Sequence, residues 1–215
     1  FARTGGPGPK GISAFLVPTA APGFGRTEIH AKLGLRGQAT AELAFDDVRV
    51  PAAAMLGEEG EGFKIAMHSL DKGRVSVGAG CVGIIQGCLE AVVDYATQRQ
   101  QFGRPLASFQ LVQDMIAEIS VDADAARLLV WRAAGLIERG EPFTTEASKA
   151  KYFASEAAVR AANRAIQVFG GYGYVDEYPV QKYMRDARVM TLYEGTSQIQ
   201  KLLIGRAETG VSAFL

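Results

Sequence analysis

One glutamate late in the chain has the surroundings of a catalytic base. Glu194 lies between Tyr193 and Gly195 and directly before Thr196 and Ser197, residue types that begin helices. A glycine at such a change of chain direction lets the backbone approach a ligand closely, and the free N–H groups of a helix start can hold a phosphate or a carbonyl oxygen. The pattern predicts that Glu194 is a general base. Taken alone, it is more typical of a solvated charge that complements the helix dipole.

The cysteines and histidines offer no metal site. Cys81 and Cys88 are seven residues apart in one predicted helix, about two turns, which is too far for a disulfide bond. We expect both to be reduced core residues. His30 and His68 lie in different segments without the spacing of metal ligands, so no metal is predicted.

The charge balance gives no indication of a nucleic-acid partner. The 215 residues carry 23 Lys plus Arg and 23 Asp plus Glu, so the chain has no overall basic field. Apolar residues make up 48% of the chain. We expect charged residues to interrupt each apolar run before the roughly twenty residues that a membrane span requires, and so predict no span. The Gly- and Pro-rich opening after Phe1 resembles the interior of a longer protein.

Residues 1–57 carry the signals of antiparallel β-structure. Ile12–Val17 is a short apolar run closed by Pro18, a Pro-Gly turn leads to Thr27–His30, and Ala41–Val50 alternates imperfectly around an Asp-Asp turn. No Gly-x-Gly-x-x-Gly follows a strand, which gives a Rossmann fold no support. The segment is too short to close a sheet alone, so we predict part of a β domain.

From Gly62 onward the apolar period becomes helical. The first long helix is predicted to end near Phe102, and its glycines require close helix packing or a close ligand. Ser108 is the predicted N-cap of a second helix that ends at Arg139. Further helices are predicted at Thr144–Phe169, Val180–Thr191 and Thr196–Thr209. The predicted fold is mainly α: an up-down helical bundle preceded by the last strands of an antiparallel β domain, α+β overall.

Six stretches of the sequence together resemble the C-terminal part of flavin-dependent acyl-CoA dehydrogenases. They are Phe45–Pro51, Gly60–Phe63, Arg99–Gly103, Gln167–Gly173, Met184–Ala187 and Tyr193–Gln200. These stretches span nearly the whole chain in the order and spacing of the family. Each is a modest signal alone, and together they identify the family.

The resemblance implies a domain organisation and an assembly. Residues 1–57 correspond to part of a middle β domain, and 58–215 to a C-terminal helical bundle that binds FAD and builds a homotetramer, a dimer of dimers. An N-terminal helical domain and the first part of the β domain are missing, so this chain alone is expected to hold an incomplete site. The implied location is the cytoplasm in a bacterium and the mitochondrial matrix in a eukaryote.

The resemblance also implies a reaction: α,β-dehydrogenation of a short acyl-CoA thioester to the trans-2-enoyl-CoA. Glu194 removes the α-proton, hydride leaves the β-carbon for FAD, and electrons pass to an electron-transfer flavoprotein. The backbone N–H of Glu194 helps to polarise the thioester carbonyl. Some family members carry the base at the position of Gly73 instead. Glycine there leaves Glu194 as the only candidate and favours short, straight acyl chains.

Other residues receive implied roles by position. The implied FAD contacts are Arg99, Gln101, Phe102, Gln110, Gln167, Val168, Phe169, Gly170, Gly171, Thr196 and Gln198. The implied substrate contacts are Asp71, Arg74, Tyr193 and Gly195. Simpler interpretations exist for several of them: a solvated arginine for Arg99, a helix C-cap for Gln167–Gly171, a helix N-cap for Thr196, and an i,i+3 ion pair for Asp71 with Arg74.

Two other functions remain open at this point. An acyl-CoA oxidase differs in letting oxygen reach the reduced flavin, which the sequence does not exclude. A non-catalytic assembly or binding subunit of the same fold would perform no reaction. The presence of Glu194 and the neutral overall charge argue against the binding subunit, whereas the missing N-terminal half favours it.

Overall fold

The computed structural model describes residues 1–214. They divide into two compact units, one of residues 1–70 and one that starts at Asp71. The boundary between these units lies inside the first long helix, whereas the sequence suggested a domain boundary near residue 57.

The first unit contains short antiparallel strands, which confirms the predicted β-structure. β1 (Ala2–Arg3), β2 (Ile12–Phe15) and β5 (Met55–Leu56) form one sheet in the order β1-β2-β5, and β3 (Phe24–Glu28) pairs with β4 (Ala41–Phe45). β2 and β4 end earlier than predicted, whereas β3 begins at Phe24, before the predicted start at Thr27, and ends at Glu28. β4 ends at Phe45 because Asp47 in the following turn has a φ of 47°, a left-handed conformation that a continuing strand does not adopt.

The rest of the described chain is helical, which confirms the predicted fold class. The elements are α1 (Gly62–Gln98), the hairpin strands β6 (Gln100–Gln101) and β7 (Arg104–Pro105), α2 (Gln110–Glu138), α3 (Thr144–Phe169), α4 (Val180–Met190) and α5 (Ser197–Thr209). The first helix ends before Phe102 because the chain turns into the β6–β7 hairpin. The predicted Ser108 cap is wrong: its hydroxyl donates to the Pro105 carbonyl at 2.7 Å, within a 3₁₀ turn, and Phe109 holds the N-cap position.

α3 lies at the centre of the second unit and packs against α2, α4 and α5. Its buried face consists mainly of alanines, each with no exposed surface: Ala147, Ala150, Ala154, Ala157, Ala158, Ala161, Ala162 and Ala165. Such small side chains let the neighbouring helices approach the α3 backbone closely. The one long charged side chain on this face is Lys151, which is also fully buried.

Two features of α1 bear on the expectations from sequence. Cys81 and Cys88 are free and fully buried, as predicted, and burial raises the pKa of each thiol to about 12.

Within residues 1–214, α1 is also the one helix long and apolar enough to cross a membrane: an 18-residue window has a mean hydropathy of 1.6. Charges nevertheless interrupt this helix as expected, because its longest uncharged stretch lies between Arg74 and Glu90 and is shorter than the roughly twenty residues that a span requires. Length and composition do not separate a span from a bundle helix, and Gly78 of α1 lies against Val130 of α2.

Candidate active site

The turn between α4 and α5 gives Glu194 an unusual backbone conformation. Glu194 has a φ of 56° and Gly195 a φ of 86°, so two consecutive residues are left-handed. This conformation is uncommon for a residue with a side chain and needs support from the surrounding structure. Thr196 then caps α5, since its hydroxyl oxygen accepts from the Ile199 N–H at 3.3 Å.

Two buried side chains hold this turn through its carbonyl groups. The Gln200 amide donates to the Glu194 carbonyl at 3.0 Å and to the Gly195 carbonyl at 3.1 Å. The Lys151 ammonium donates to the Gly195 carbonyl at 2.7 Å. Both side chains have no exposed surface. The sequence analysis missed them, although a lysine in helical register with the buried alanines of α3 was a signal for Lys151.

The Glu194 carboxylate lies against the bare backbone of Gly73 on α1. A Cβ atom at Gly73 would be 2.6 Å from Glu194 Oε2 and 3.1 Å from Oε1, so no larger residue fits there without moving the carboxylate. Within the described residues, Oε2 is buried and has no hydrogen-bond partner. The backbone N–H of Glu194 likewise donates to no acceptor in this part of the chain. Glu194 is therefore not simply a solvated charge at a helix start: one of its oxygens is dry and free to accept a proton.

Asp71 and Arg74 lie on the same stretch of α1 as Gly73 and pair with each other. Arg74 Nη1 is 2.5 Å from Asp71 Oδ1, and Asp71 Oδ2 accepts from the Thr144 hydroxyl at 2.6 Å. The i,i+3 ion pair considered from sequence is thus present. Arg74 is buried, and its Nε has no partner within residues 1–214. A buried guanidinium with a free donor can still bind a ligand oxygen.

Tyr193 is half-buried beside the base. Its hydroxyl donates to the Met190 sulfur at 2.7 Å, and burial raises the pKa of Tyr193. The phenol therefore stays protonated, and its ring is available as an apolar wall. The structure brings Tyr193, Glu194, Gly195, Gly73 and Arg74 into one region of the bundle.

The predicted cofactor contacts around Arg99 form a second group. The Arg99 guanidinium lies 5.5 Å from the centre of the Tyr172 ring and forms no ion pair within residues 1–214. Next to it, Gly171, Tyr172 and Tyr178 line an open cavity of about 570 Å³. Val168 and Phe169 are buried, and Phe169 stacks on Tyr95 at 4.1 Å. Their side chains hold the end of α3 in place, so only their backbone is free to contact a ligand.

Gln167 is exposed, and Gly170 ends α3 with a φ of 62°. The Gly170 N–H donates to the Gln167 carbonyl. The helix C-cap considered from sequence is therefore present in the Gln167–Gly171 run.

The remaining predicted cofactor residues are exposed or cap helices. Gln101 and Phe102 lie in the β6–β7 hairpin, where Phe102 has a φ of 54° and is 91% exposed, and Gln110 begins α2. Gln198 lines a cavity of about 270 Å³ together with Arg188 and the buried Ser197. Thr196 acts as the helix cap described above, which leaves its proposed flavin contact as a prediction.

These residues fit the anionic part of a dinucleotide. Arg99 is a cation without a carboxylate partner in the described chain, and it lies beside an aromatic ring and a glycine turn. A guanidinium in that setting suits a pyrophosphate.

Comparisons with known proteins identify the family of this chain. Residues 60–209 match the family model described as acyl-CoA dehydrogenase, C-terminal domain. An acyl-CoA dehydrogenase of Bacillus subtilis (strain 168) is 50% identical over 199 residues, which cover 93% of this chain and 52% of the relative.

Two solved structures resemble the chain over most of its length. Butyryl-CoA dehydrogenase from Megasphaera elsdenii is 46% identical with a TM-score of 0.89, over 91% of this chain and 51% of that one. A chain in a structure of an electron transferring flavoprotein of Acidaminococcus fermentans is 46% identical with a TM-score of 0.92, over 93% of this chain and 53% of that one. The chain thus spans about half the length of the relatives it matches. It belongs to the acyl-CoA dehydrogenase family and corresponds to the C-terminal domain of that family.

Proposed function

We propose that this chain supplies the base and part of the cofactor site of a flavin-dependent dehydrogenase that acts on short acyl-CoA thioesters. The observation that carries the proposal is the Glu194 carboxylate, which has a buried oxygen without a partner and lies against Gly73. Structural carboxylates in a fold are normally paired when buried, whereas a base must remain free to take a proton.

The residues near Glu194 suit proton removal next to a thioester carbonyl. The carboxylate takes the α-proton, the electrons of that C–H bond form the new double bond, and the β-hydrogen leaves with its electron pair. When bound, FAD supplies the acceptor for that hydride. The unpaired backbone N–H of Glu194 is a donor for the carbonyl oxygen, which gains negative charge as the proton leaves. Arg74 has a free buried donor for the same end of the substrate.

The similarity to butyryl-CoA dehydrogenase supports a short acyl chain. Gly73 makes room for the Glu194 carboxylate rather than for a second acid. The base is therefore supplied from the α4–α5 turn. The family resemblance also supports FAD as cofactor, a homotetramer as the assembly and an electron-transfer flavoprotein as the electron acceptor. Location in a bacterial cytoplasm or a mitochondrial matrix is proposed on the same ground.

An anaerobic titration tests the reaction. A complete protein that joins this chain to the N-terminal half seen in its relatives is loaded with FAD and mixed with butyryl-CoA, isobutyryl-CoA or octanoyl-CoA, while the oxidised flavin band near roughly 450 nm is followed. We expect butyryl-CoA to bleach this band most rapidly. Glu194→Gln keeps the shape of the side chain but removes the base and should slow bleaching by about 10²- to 10⁴-fold. Glu208→Gln, which changes an exposed glutamate on α5, is the matched control.

The same material separates the alternatives. Consumption of oxygen by the substrate-reduced protein at the rate of turnover would indicate an oxidase. A protein that binds FAD but is reduced by none of the three thioesters would contradict the enzyme and support the non-catalytic subunit. Equal bleaching rates in Glu194→Gln and the parent would show that another residue is the base.

A further inference from the structure

We propose that Lys151 is a positioning residue that holds the Glu194–Gly195 turn in the conformation that presents the base. This inference rests on the proposed function for its kinetic consequences, and on the geometry of the turn alone for its structural ones. No motif in the sequence assigned Lys151 a role.

Lys151 is the long charged side chain on the alanine face of α3, and it has no exposed surface. Burial of an ammonium group is costly unless the group is well bonded. Within residues 1–214 Lys151 makes no ion pair, and its one hydrogen bond goes to the Gly195 carbonyl at 2.7 Å. Within the described residues, the burial of this charge is therefore compensated by one hydrogen bond, and its acceptor is a backbone carbonyl next to the candidate base.

That carbonyl belongs to a turn that is strained without support. Glu194 and Gly195 are both left-handed, a conformation that is unfavourable for the non-glycine residue unless its surroundings hold it. Lys151 from α3 and Gln200 from α5 approach the two carbonyls, so the turn is fixed from two helices. With its carbonyl groups held in this way, the turn directs the Glu194 side chain onto Gly73 and leaves its N–H free.

The charge on Lys151 also acts on the base. The groups that affect Lys151 electrostatically are Arg74 and Cys81 on α1, Glu156 on α3 itself, and Glu194. Burial lowers the pKa of Lys151, Arg74 lowers it further, and the two glutamates raise it. The ammonium of Lys151 and the carboxylate of Glu194 therefore attract each other, which adds to the hydrogen bond in holding the turn.

The test compares Lys151→Met, which keeps the length of the side chain but removes charge and donor, with Lys149→Met on the same helix. Lys149 is partly exposed and pairs with Glu208 on α5 at 2.7 Å. Both are made in the complete FAD-loaded protein. Measured quantities are the flavin content, the melting temperature, the rate constant of flavin reduction at saturating butyryl-CoA and its half-saturation concentration.

For Lys151→Met we expect the rate constant to fall about 10- to 100-fold, the effect of losing one charged buried hydrogen bond at a reacting group. The half-saturation concentration should change less than about threefold, because ground-state binding is not altered. A fall in the rate constant at a nearly unchanged half-saturation concentration and flavin content is a change that a general loss of structure does not produce. Lys149→Met should match the parent in both kinetic quantities.

A rate constant within twofold of the parent at full flavin content would overturn the proposal, as would a lower melting temperature with an unchanged rate constant. If Lys151→Met does not retain FAD, the same criteria apply to Lys151→Gln, which restores a neutral donor.

A crystal structure of Lys151→Met gives a readout that does not depend on activity. If Glu194 keeps its left-handed backbone and its contact with Gly73, the positioning role is wrong; a displaced turn supports it. This crystallographic test can still be read if none of the three thioesters reduces the flavin of the unsubstituted protein, which is the result that would refute the proposed function.

Discussion

Gly73→Ala should slow the proposed reaction while leaving the fold intact. The new Cβ would lie 2.6 Å from Glu194 Oε2, whereas ordinary contact begins near 3.4 Å, so the carboxylate must move by the difference, about 0.8 Å. Misplacement of a reacting group by about 1 Å costs up to roughly 10²-fold. We therefore expect flavin reduction by butyryl-CoA to slow by about 10- to 100-fold.

The stability of this variant should change little. Alanine gains up to about 1 kcal/mol over glycine in a helix interior, and forcing an extra methyl group into a packed site costs about 1–3 kcal/mol. The atoms that must move are the end of a flexible side chain rather than backbone, so the cost should be at the low end of that range. The two effects nearly cancel.

Gly83→Ala in the same helix is the matched control. A Cβ at Gly83 has no atom within 4 Å in the described chain, so this variant should gain up to about 1 kcal/mol and reduce flavin at the parent rate. Both rates are measured by anaerobic stopped flow, and stability by thermal unfolding of the loaded protein. A Gly73→Ala rate within twofold of the parent would refute the contact argument. Equal slowing in Gly83→Ala would show that helix stiffness, not the position of Glu194, sets the rate.

Three further outcomes can be checked directly. Arg99→Gln removes a cation without an ion pair in the described chain and should weaken FAD binding about tenfold in a fluorescence titration, whereas an unchanged Kd would contradict the assignment. Burial lowers the pKa of Lys151, so between that lowered value and 10.5 the unfolded chain binds more protons. The unfolding free energy of the parent relative to Lys151→Met should therefore rise with pH in this range, and a flat difference would contradict it. Cys81 and Cys88 have pKa values raised from 9.0 to about 12, so the stability they contribute is complete below pH 9. The free energy of unfolding should therefore fall between pH 9 and 12 by about 1.4 kcal/mol per pH unit for each thiol. A Cys81→Ala/Cys88→Ala double variant should not show this fall.

Much of the fold could be predicted from the sequence because its signals are local. The apolar period and the bounding glycines predicted α3 at the bounds that the structure has, and the Thr196 cap set the start of α5. The misplaced start of α2 has a local cause as well: Ser108 bonds back to Pro105 in a 3₁₀ turn, a geometry that serine allows as readily as a helix cap. Where two local structures compete for one residue, sequence patterns do not choose between them.

The sequence by itself determined the family and the residue expected to act as base, because the Tyr-Glu-Gly-Thr pattern is read within a few neighbouring positions. Only the tertiary structure decided what surrounds that base. Gly73, Lys151 and Gln200 reach the Glu194 turn from three different helices. Which face of each helix meets the turn depends on how the helices pack, a property of the whole bundle that no single stretch of sequence encodes.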